Sequence, residues 1–202
     1  MKLYYLTGAC PLVTQIVLEW MGLSYETESV ERDALKQPDF LQLNPLGSVP
    51  VLKDGDLVLT QTVAILEYLN ELHPDAGLHG ADIVERTEVR RWLNFANSDL
   101  HRTFSMMFGV QAYTDDADIQ NLLLEKTSER LRFLFGVVDK QLEGKDWIAG
   151  KRSIADPYLY VVGLWARIKK LDLSNLHNLK RFMERMDADP GAQTALKKQG
   201  LV

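Results

Sequence analysis

Lys2-Leu3-Tyr4-Tyr5-Leu6-Thr7-Gly8-Ala9-Cys10-Pro11 is the stretch on which the fold turns. Lys2 to Tyr5 is a short apolar run of strand length. Pro11 then opens a segment to Gly22 in which Val13, Ile16, Val17 and Trp20 share one helical face. Proline suits the first helical turn, where its missing N–H would be unpaired anyway, so Cys10 falls at or beside the N-cap. The free N–H groups and positive dipole end at that position favour a negative sulfur and lower a thiol pKa. A second thiol, brought by a ligand docked on the same helix end, would gain the same benefit. The competing reading of Cys10 is a small buried hydrophobe with an inert thiol.

Working outward, Gly22 stops the helix and Tyr25 to Val30 alternates like a second strand. Lys36 to Leu43 makes a helical turn ended by Asn44-Pro45-Leu46-Gly47. Val49 to Lys53 and Asp56 to Leu59 read as a hairpin across Asp54-Gly55, a turn dipeptide. A helix from Thr62 to Leu72, with Val63, Leu66 and Leu69 inward, closes the unit before Pro74. The order β-α-β-α-β-β-α predicts an α/β domain with a mixed four-stranded sheet over residues 1–76.

Residues 77–82 lie in an aperiodic, Gly-containing linker, and the remainder, 83–202, reads as an all-helical domain. In Ile83 to Phe104, the residues Val89, Trp92, Leu93, Ala96, Leu100 and Phe104 recur at three- and four-residue steps, and Ile119 to Leu142 repeats the pattern. Ile154 to Ile168 is apolar nearly all round, which marks a buried central helix. Its start, Ser153-Ile154-Ala155-Asp156, is a capping box with aspartate in the acidic position, so Asp156 is assigned to folding.

The composition narrows the functional classes. With 46% hydrophobic and 25% charged residues, the 202-residue chain is of ordinary globular type. Its net charge is -5, and basic residues alternate with acidic ones instead of forming a stripe, which argues against nucleic acid as a partner. One cysteine excludes an internal disulfide framework and fits a reducing, cytoplasmic setting. His73, His79, His101 and His177 show no metal-ligand spacing with Cys10, so no metal is expected. The apolar run after Lys2 is too short for a signal-peptide core, and Tyr158 to Ala166 is far below membrane-spanning length, so no membrane partner is expected.

Two further features join Cys10. Ser48-Val49-Pro50 enters the third strand with a proline that has no N–H to donate. On local sequence a trans Val49–Pro50 bond is the commoner state. A cis bond would instead turn the Val49 backbone outward, to pair with an extended peptide ligand. Gln61-Thr62 opens the last helix of the first domain and offers backbone N–H groups, a hydroxyl and an amide to an anion, although simple capping needs only the threonine.

Together these residues resemble the glutathione transferase family, and within it the bacterial beta class, over essentially the whole chain. Met1 to Cys10 is similar to that class's N-terminal signature, and Asn44-Pro-Leu-Gly-Ser-Val-Pro50 to its N-P-x-G-x-V-P segment. Leu59-Thr-Gln-Thr-Val-Ala-Ile65 resembles the L-x-E/Q-S-x-A-I motif. Ser153-Ile-Ala-Asp156 is similar to the family capping box, and Trp92-Leu-Asn94 through Leu100-His101 to the beta-class active-site helix. The resemblance implies a thioredoxin-like N-terminal domain, an all-helical C-terminal domain and a homodimer. It implies that Cys10 lies beside the glutathione sulfur, that Val49 next to a cis Pro50 holds the cysteinyl backbone, and that Gln61 and Thr62 bind the γ-glutamyl carboxylate. It further implies that His101 lies near the sulfur and that Asn94, Ser98 and Asp99 contribute to the site, some across the dimer interface. Tyr5 matches the tyrosine that other classes use or displace, and otherwise belongs to the core of its strand. Threonine at position 62 departs from the commoner serine. The short connection from Glu31 to Pro38 leaves the class lysine without a clear counterpart, Arg32 and Lys36 being the candidates.

The implied reaction is attack of the glutathione thiolate on a small hydrophobic electrophile. Lowering a thiol pKa by two units takes about 2.7 kcal/mol of preferential thiolate stabilisation. A helix dipole supplies roughly 0.3–1 kcal/mol, and about 2 when partly buried. A hydrogen bond from Cys10, or charge from His101, is expected to supply the rest. Met106-Met107-Phe108 is a candidate wall for apolar co-substrates. The alternatives are a glutathione-dependent disulfide reductase or peroxidase acting through a Cys10 mixed disulfide, and a non-catalytic ligand carrier or interaction protein on the same fold.

Overall fold

Parallel strands need a crossover connection and antiparallel ones a short turn, and the first unit uses both. In the computed structural model, which describes residues 1–202, β1 (Lys2–Tyr5) pairs in parallel with β2 (Glu26–Ser29) across helix α1 (Pro11–Trp20). On its other side β1 pairs antiparallel with β3 (Val51–Asp54), which pairs antiparallel with β4 (Leu57–Thr60). The strand order is β2-β1-β3-β4, the expected mixed four-stranded sheet. The β3–β4 turn sits one residue later than Asp54-Gly55. Asp54 pairs with Leu57, and the positive φ of 57° falls on Gly55 as first central residue, the position a two-residue turn reserves for glycine. Helix α2 (Pro38–Leu43) precedes β3, and α3 (Thr62–Leu72) follows β4. Thr62, Ile65, Leu66 and Leu69 form the buried stripe of α3. Ile65 therefore takes the inward place expected of Val63, which is half-buried.

The chain forms two compact units, one of Met1–His79 with Asp187–Val202 and one of Gly80–Met186. The last helix, α9 (Pro190–Lys198), read from the sequence as part of the helical domain, lies along α1 in the first unit. The Trp20 indole N–H donates to Asp189 Oδ1 (2.6 Å), Gly191 lies against the same indole, and Lys198 Nζ donates to Glu19 Oε1 (2.6 Å).

The second unit is helical. Asp82 caps α4 (Ile83–Asn94) by accepting the Val84 and Glu85 N–H groups on Oδ1, at 2.8 and 2.9 Å. The chain then widens into a π-helical turn, Phe95–His101, before resuming as α5 (Arg102–Gly109), where the sequence pattern predicts an uninterrupted α-helix. Helices α6 (Ala117–Gln141), α7 (Ala155–Ile168) and α8 (His177–Asp187) complete it. Helix α7 is buried along most of its length. Its capping box forms as the sequence predicts, with Ser153 N–H donating to Asp156 Oδ2 (2.8 Å) and Ala155 N–H to Ser153 Oγ (3.3 Å). Asp156 also accepts the Ile148 N–H on Oδ1 (2.9 Å) and so ties the preceding loop to the helix start. No helix is long and apolar enough to cross a membrane.

Candidate active site

In the first unit, the N-terminal ends of α1 and α3 meet at Cys10. Pro11 starts α1 and places Cys10 at its N-cap, where the side chain makes no capping bond. Instead Cys10 Sγ donates to the Val49 carbonyl (3.6 Å), and the Thr62 hydroxyl, at the first position of α3, lies beside the sulfur and favours its thiolate. Cys10 is 8% exposed, and burial pushes its thiol up to about 11, against the lowering contributions of Thr62 and of the backbone. The expectation that the helix end would lower this pKa is overturned. A dipole contributes up to about 2 kcal/mol, equivalent to some one and a half pKa units, whereas desolvation raises a fully buried acid by up to 3–5.

The Val49–Pro50 bond is cis, as the resemblance implies. Val49 is half-buried and Pro50 buried. The first residue of the Asn44–Pro50 segment holds their approach. Asn44, 3% exposed, donates from Nδ2 to the Ser48 carbonyl (2.6 Å) and accepts the Leu46 N–H on Oδ1 (3.1 Å). Gly47 follows at φ 58°, where a Cβ would stand 2.7 Å from the Leu35 carbonyl oxygen. Lys36 Nζ donates to the Leu46 carbonyl (3.1 Å) and is committed to this loop, and Arg32 is exposed. Gln61 caps α3 with a left-handed backbone (φ 71°, ψ 114°) and an exposed side chain. A non-glycine residue held there stores strain of the kind found at ligand clamps. Tyr5 is 8% exposed on β1 and lies with the core.

The second unit carries the other candidates on one continuous helical rod. Asn94 ends α4, and Ser98, Asp99 and His101 lie on the π-helical turn. Ser98 Oγ bonds the Asn94 carbonyl (2.8 Å) and Asp99 Oδ2 (2.9 Å), and Asn94 Nδ2 donates to the Arg90 carbonyl (2.8 Å). His101 Nδ1 lies 2.8 Å from the Tyr158 hydroxyl, which donates to Asn97 Oδ1 (2.7 Å). With that proton committed to Asn97, His101 donates its Nδ1–H to Tyr158 and keeps a lone pair on Nε2. Its ring also packs edge-on against Trp165, centroids 4.8 Å apart. Burial pushes the imidazole down to about 4, so His101 is neutral at physiological pH and brings no cationic charge, contrary to the sequence expectation. Tyr158, Asn97 and Trp165 escaped the sequence reading. Their one signal is a tyrosine inside an otherwise apolar helix, whose hydroxyl must find a partner. Phe108 is 44% exposed, stacked on Phe104 and edge-on to Trp165.

Comparison with known proteins identifies the family. Residues 1–71 match the glutathione S-transferase N-terminal domain and residues 101–190 the glutathione S-transferase C-terminal domain. The chain is 42% identical to glutathione S-transferase GST-4.5 of Xanthomonas campestris pv. campestris, covering 100% of both sequences. It is also similar to the solved glutathione S-transferase of Xylella fastidiosa, at 41% identity and TM-score 0.96, covering 100% of this chain and 99% of that one. A sphingomonad glutathione S-transferase solved in complex with glutathione is 31% identical with TM-score 0.88, covering 100% of each chain. On the strength of both domain matches and a full-length relative, the chain belongs to the glutathione S-transferase family.

Proposed function

We propose that this protein transfers the thiol of reduced glutathione to small apolar electrophiles. The tripeptide's cysteinyl backbone pairs with Val49 beside Pro50, its γ-glutamyl carboxylate lies at the α3 N-terminus by Gln61 and Thr62, and its sulfur faces Cys10. The observation that carries the reading is the meeting of Cys10, Val49 and Thr62, since the Cys10 thiol contacts both the Val49 carbonyl and the Thr62 hydroxyl. The glutathione-bound sphingomonad relative supports the choice of ligand.

In this mechanism Cys10 remains protonated. With its thiol near 11, roughly one molecule in ten thousand is ionised at pH 7. Cys10 therefore serves as an S–H donor to the glutathione thiolate rather than as the sulfur of a mixed disulfide, which weighs against the reductase reading. Glutathione releases its thiol proton to solvent, the thiolate forms the new carbon–sulfur bond, and the displaced group leaves with the bonding pair. In the second unit, neutral His101 offers an Nε2 lone pair that can only accept, and Asn94, Ser98 and Asp99 are the polar residues that the family resemblance assigns to glutathione. The exposed Phe108 ring supports an apolar co-substrate. Homodimeric assembly and a cytoplasmic setting belong to the same proposal, supported by the family and by the single unpaired thiol.

Calorimetric titration with reduced glutathione, alongside Cys10→Ser, tests it. Wild type is expected to bind in the micromolar-to-millimolar range and the variant about equally, with the variant slowed in conjugating an aryl halide. Absence of both binding heat and thermal stabilisation by glutathione would rule the reading out.

A further inference from the structure

The loop that delivers Cys10 to its helix end is held by the C-terminal segment. Gly8 N–H donates to Gln199 Oε1 (2.9 Å), and Gln199 Nε2 donates to Gln15 Oε1 (2.7 Å). A backbone N–H can only donate, so the Gln199 oxygen must face Gly8, and only its NH2 remains for Gln15. Both side chains are buried, Gln15 at 0% and Gln199 at 7% exposure. An amide engaged at both ends in such a setting has one orientation available. The Gln199 backbone is equally fixed. Gly200, at φ 67°, returns its N–H to the Lys197 carbonyl (3.0 Å), and Leu201 N–H returns to Leu196 (3.0 Å), a Schellman closure of α9. Helix α9 is in turn tied to α1 through Trp20–Asp189 and Glu19–Lys198. A braced helix therefore ends on one backbone N–H, two residues before Cys10.

We propose that Gln199 is a positioning residue of the glutathione site. It holds the Gly8–Cys10 loop in the conformation in which the Cys10 thiol meets Val49 and Thr62. The proposal rests on the reading of Cys10 as the residue beside the glutathione sulfur.

Cys10 is the only thiol, so its alkylation by iodoacetamide reads the loop with no ligand present. Gln199→Met keeps the length and burial of the side chain and removes both hydrogen bonds. Gln199→Glu keeps an oxygen facing Gly8, and Lys198→Met loosens the same helix without touching the Gly8 bond. We expect Gln199→Met to speed alkylation roughly tenfold, the ratio set by losing one buried hydrogen bond, and to weaken glutathione binding by a similar factor, with the other two variants within about twofold of wild type. A Gln199→Met rate equal to wild type overturns the proposal. So does a rate matched by Lys198→Met or by Gln199→Glu, since the effect would then be loss of stability or packing. If wild type binds no glutathione while Gln199→Met alone is fast, the functional reading fails and the control of Cys10 by Gln199 stands.

Discussion

A thiol at a helix N-terminus is pushed toward ionisation, and a thiol in an apolar interior is pushed away from it. Cys10 is subject to both. It is 8% exposed, burial dominates, and the side chain stays a donor to Val49. The consequence is measurable in the free protein. The alkylation rate of Cys10 should keep climbing as pH rises past 9 and show no plateau below about pH 10, because the reacting thiolate accumulates only toward 11. Thr62→Val removes the hydroxyl that favours the thiolate and should slow alkylation at any fixed pH below that range. A plateau near pH 7 to 8 would mean that the helix end wins, and would return Cys10 to the role of a nucleophile.

At the scale of elements, α1 and α9 pack directly against each other in the first unit. A Cβ at Gly191 would run into the Trp20 indole, whose N–H already serves Asp189. Gly136 in α6 has nothing within 4 Å of where its Cβ would stand. The same substitution should therefore have opposite signs: Gly136→Ala gains about 0.5–1 kcal/mol from helix propensity. Gly191→Ala loses about 1–3 kcal/mol through overpacking, as measured by chemical denaturation. Such partnerships are where sequence reading ran out. Periodicity marks the apolar face of the last helix but not the element it faces, so the sequence pattern groups residues 187–202 with the helical domain although they pack in the first unit. The strands, α1, α3 and the α7 capping box were legible because each carries a local signal: a proline at a helix start, a glycine at a turn, an acid three residues after a serine. The π-helical turn leaves a trace in the sequence. Trp92, Ala96, Leu100 and Phe104 are all buried at strict steps of four, which on a straight α-helix drift by about 40° per step, and a wider turn absorbs that drift. In the site, Cys10, Val49–Pro50 and Gln61–Thr62 were readable from short motifs. Tyr158, Asn97 and Gln199 were not, because their partners are set by tertiary packing.

For the whole molecule, two buried groups of the second unit oppose each other in their response to pH. Burial pushes His101 from 6.5 down to about 4, and Asp156 from 3.8 up to about 7. Between pH 4 and 6.5 the unfolded chain binds a proton at His101 that the native state refuses, so this group makes stability fall as pH falls. Over nearly the same window the native state keeps a proton on Asp156 that the unfolded chain has released, so this group makes stability rise as pH falls. Each contributes up to about 1.4 kcal/mol per pH unit, with opposite signs, and the sum is close to flat. Removing one partner exposes the other. His101→Gln, which keeps hydrogen-bonding capacity toward Tyr158, leaves Asp156 unopposed and should gain stability relative to wild type as pH drops from 7 to 4.5. Asp156→Asn leaves His101 unopposed and should lose stability over that interval, beyond the loss of its cap at neutral pH. Urea midpoints at pH 7, 5.5 and 4.5 for the three proteins decide it. Groups common to all three cancel in the differences, so parallel profiles would mean that neither group titrates differently in the folded and unfolded chain. Divergence in the stated directions would mean that the flat response of the wild type is a balance between two strained protonation states.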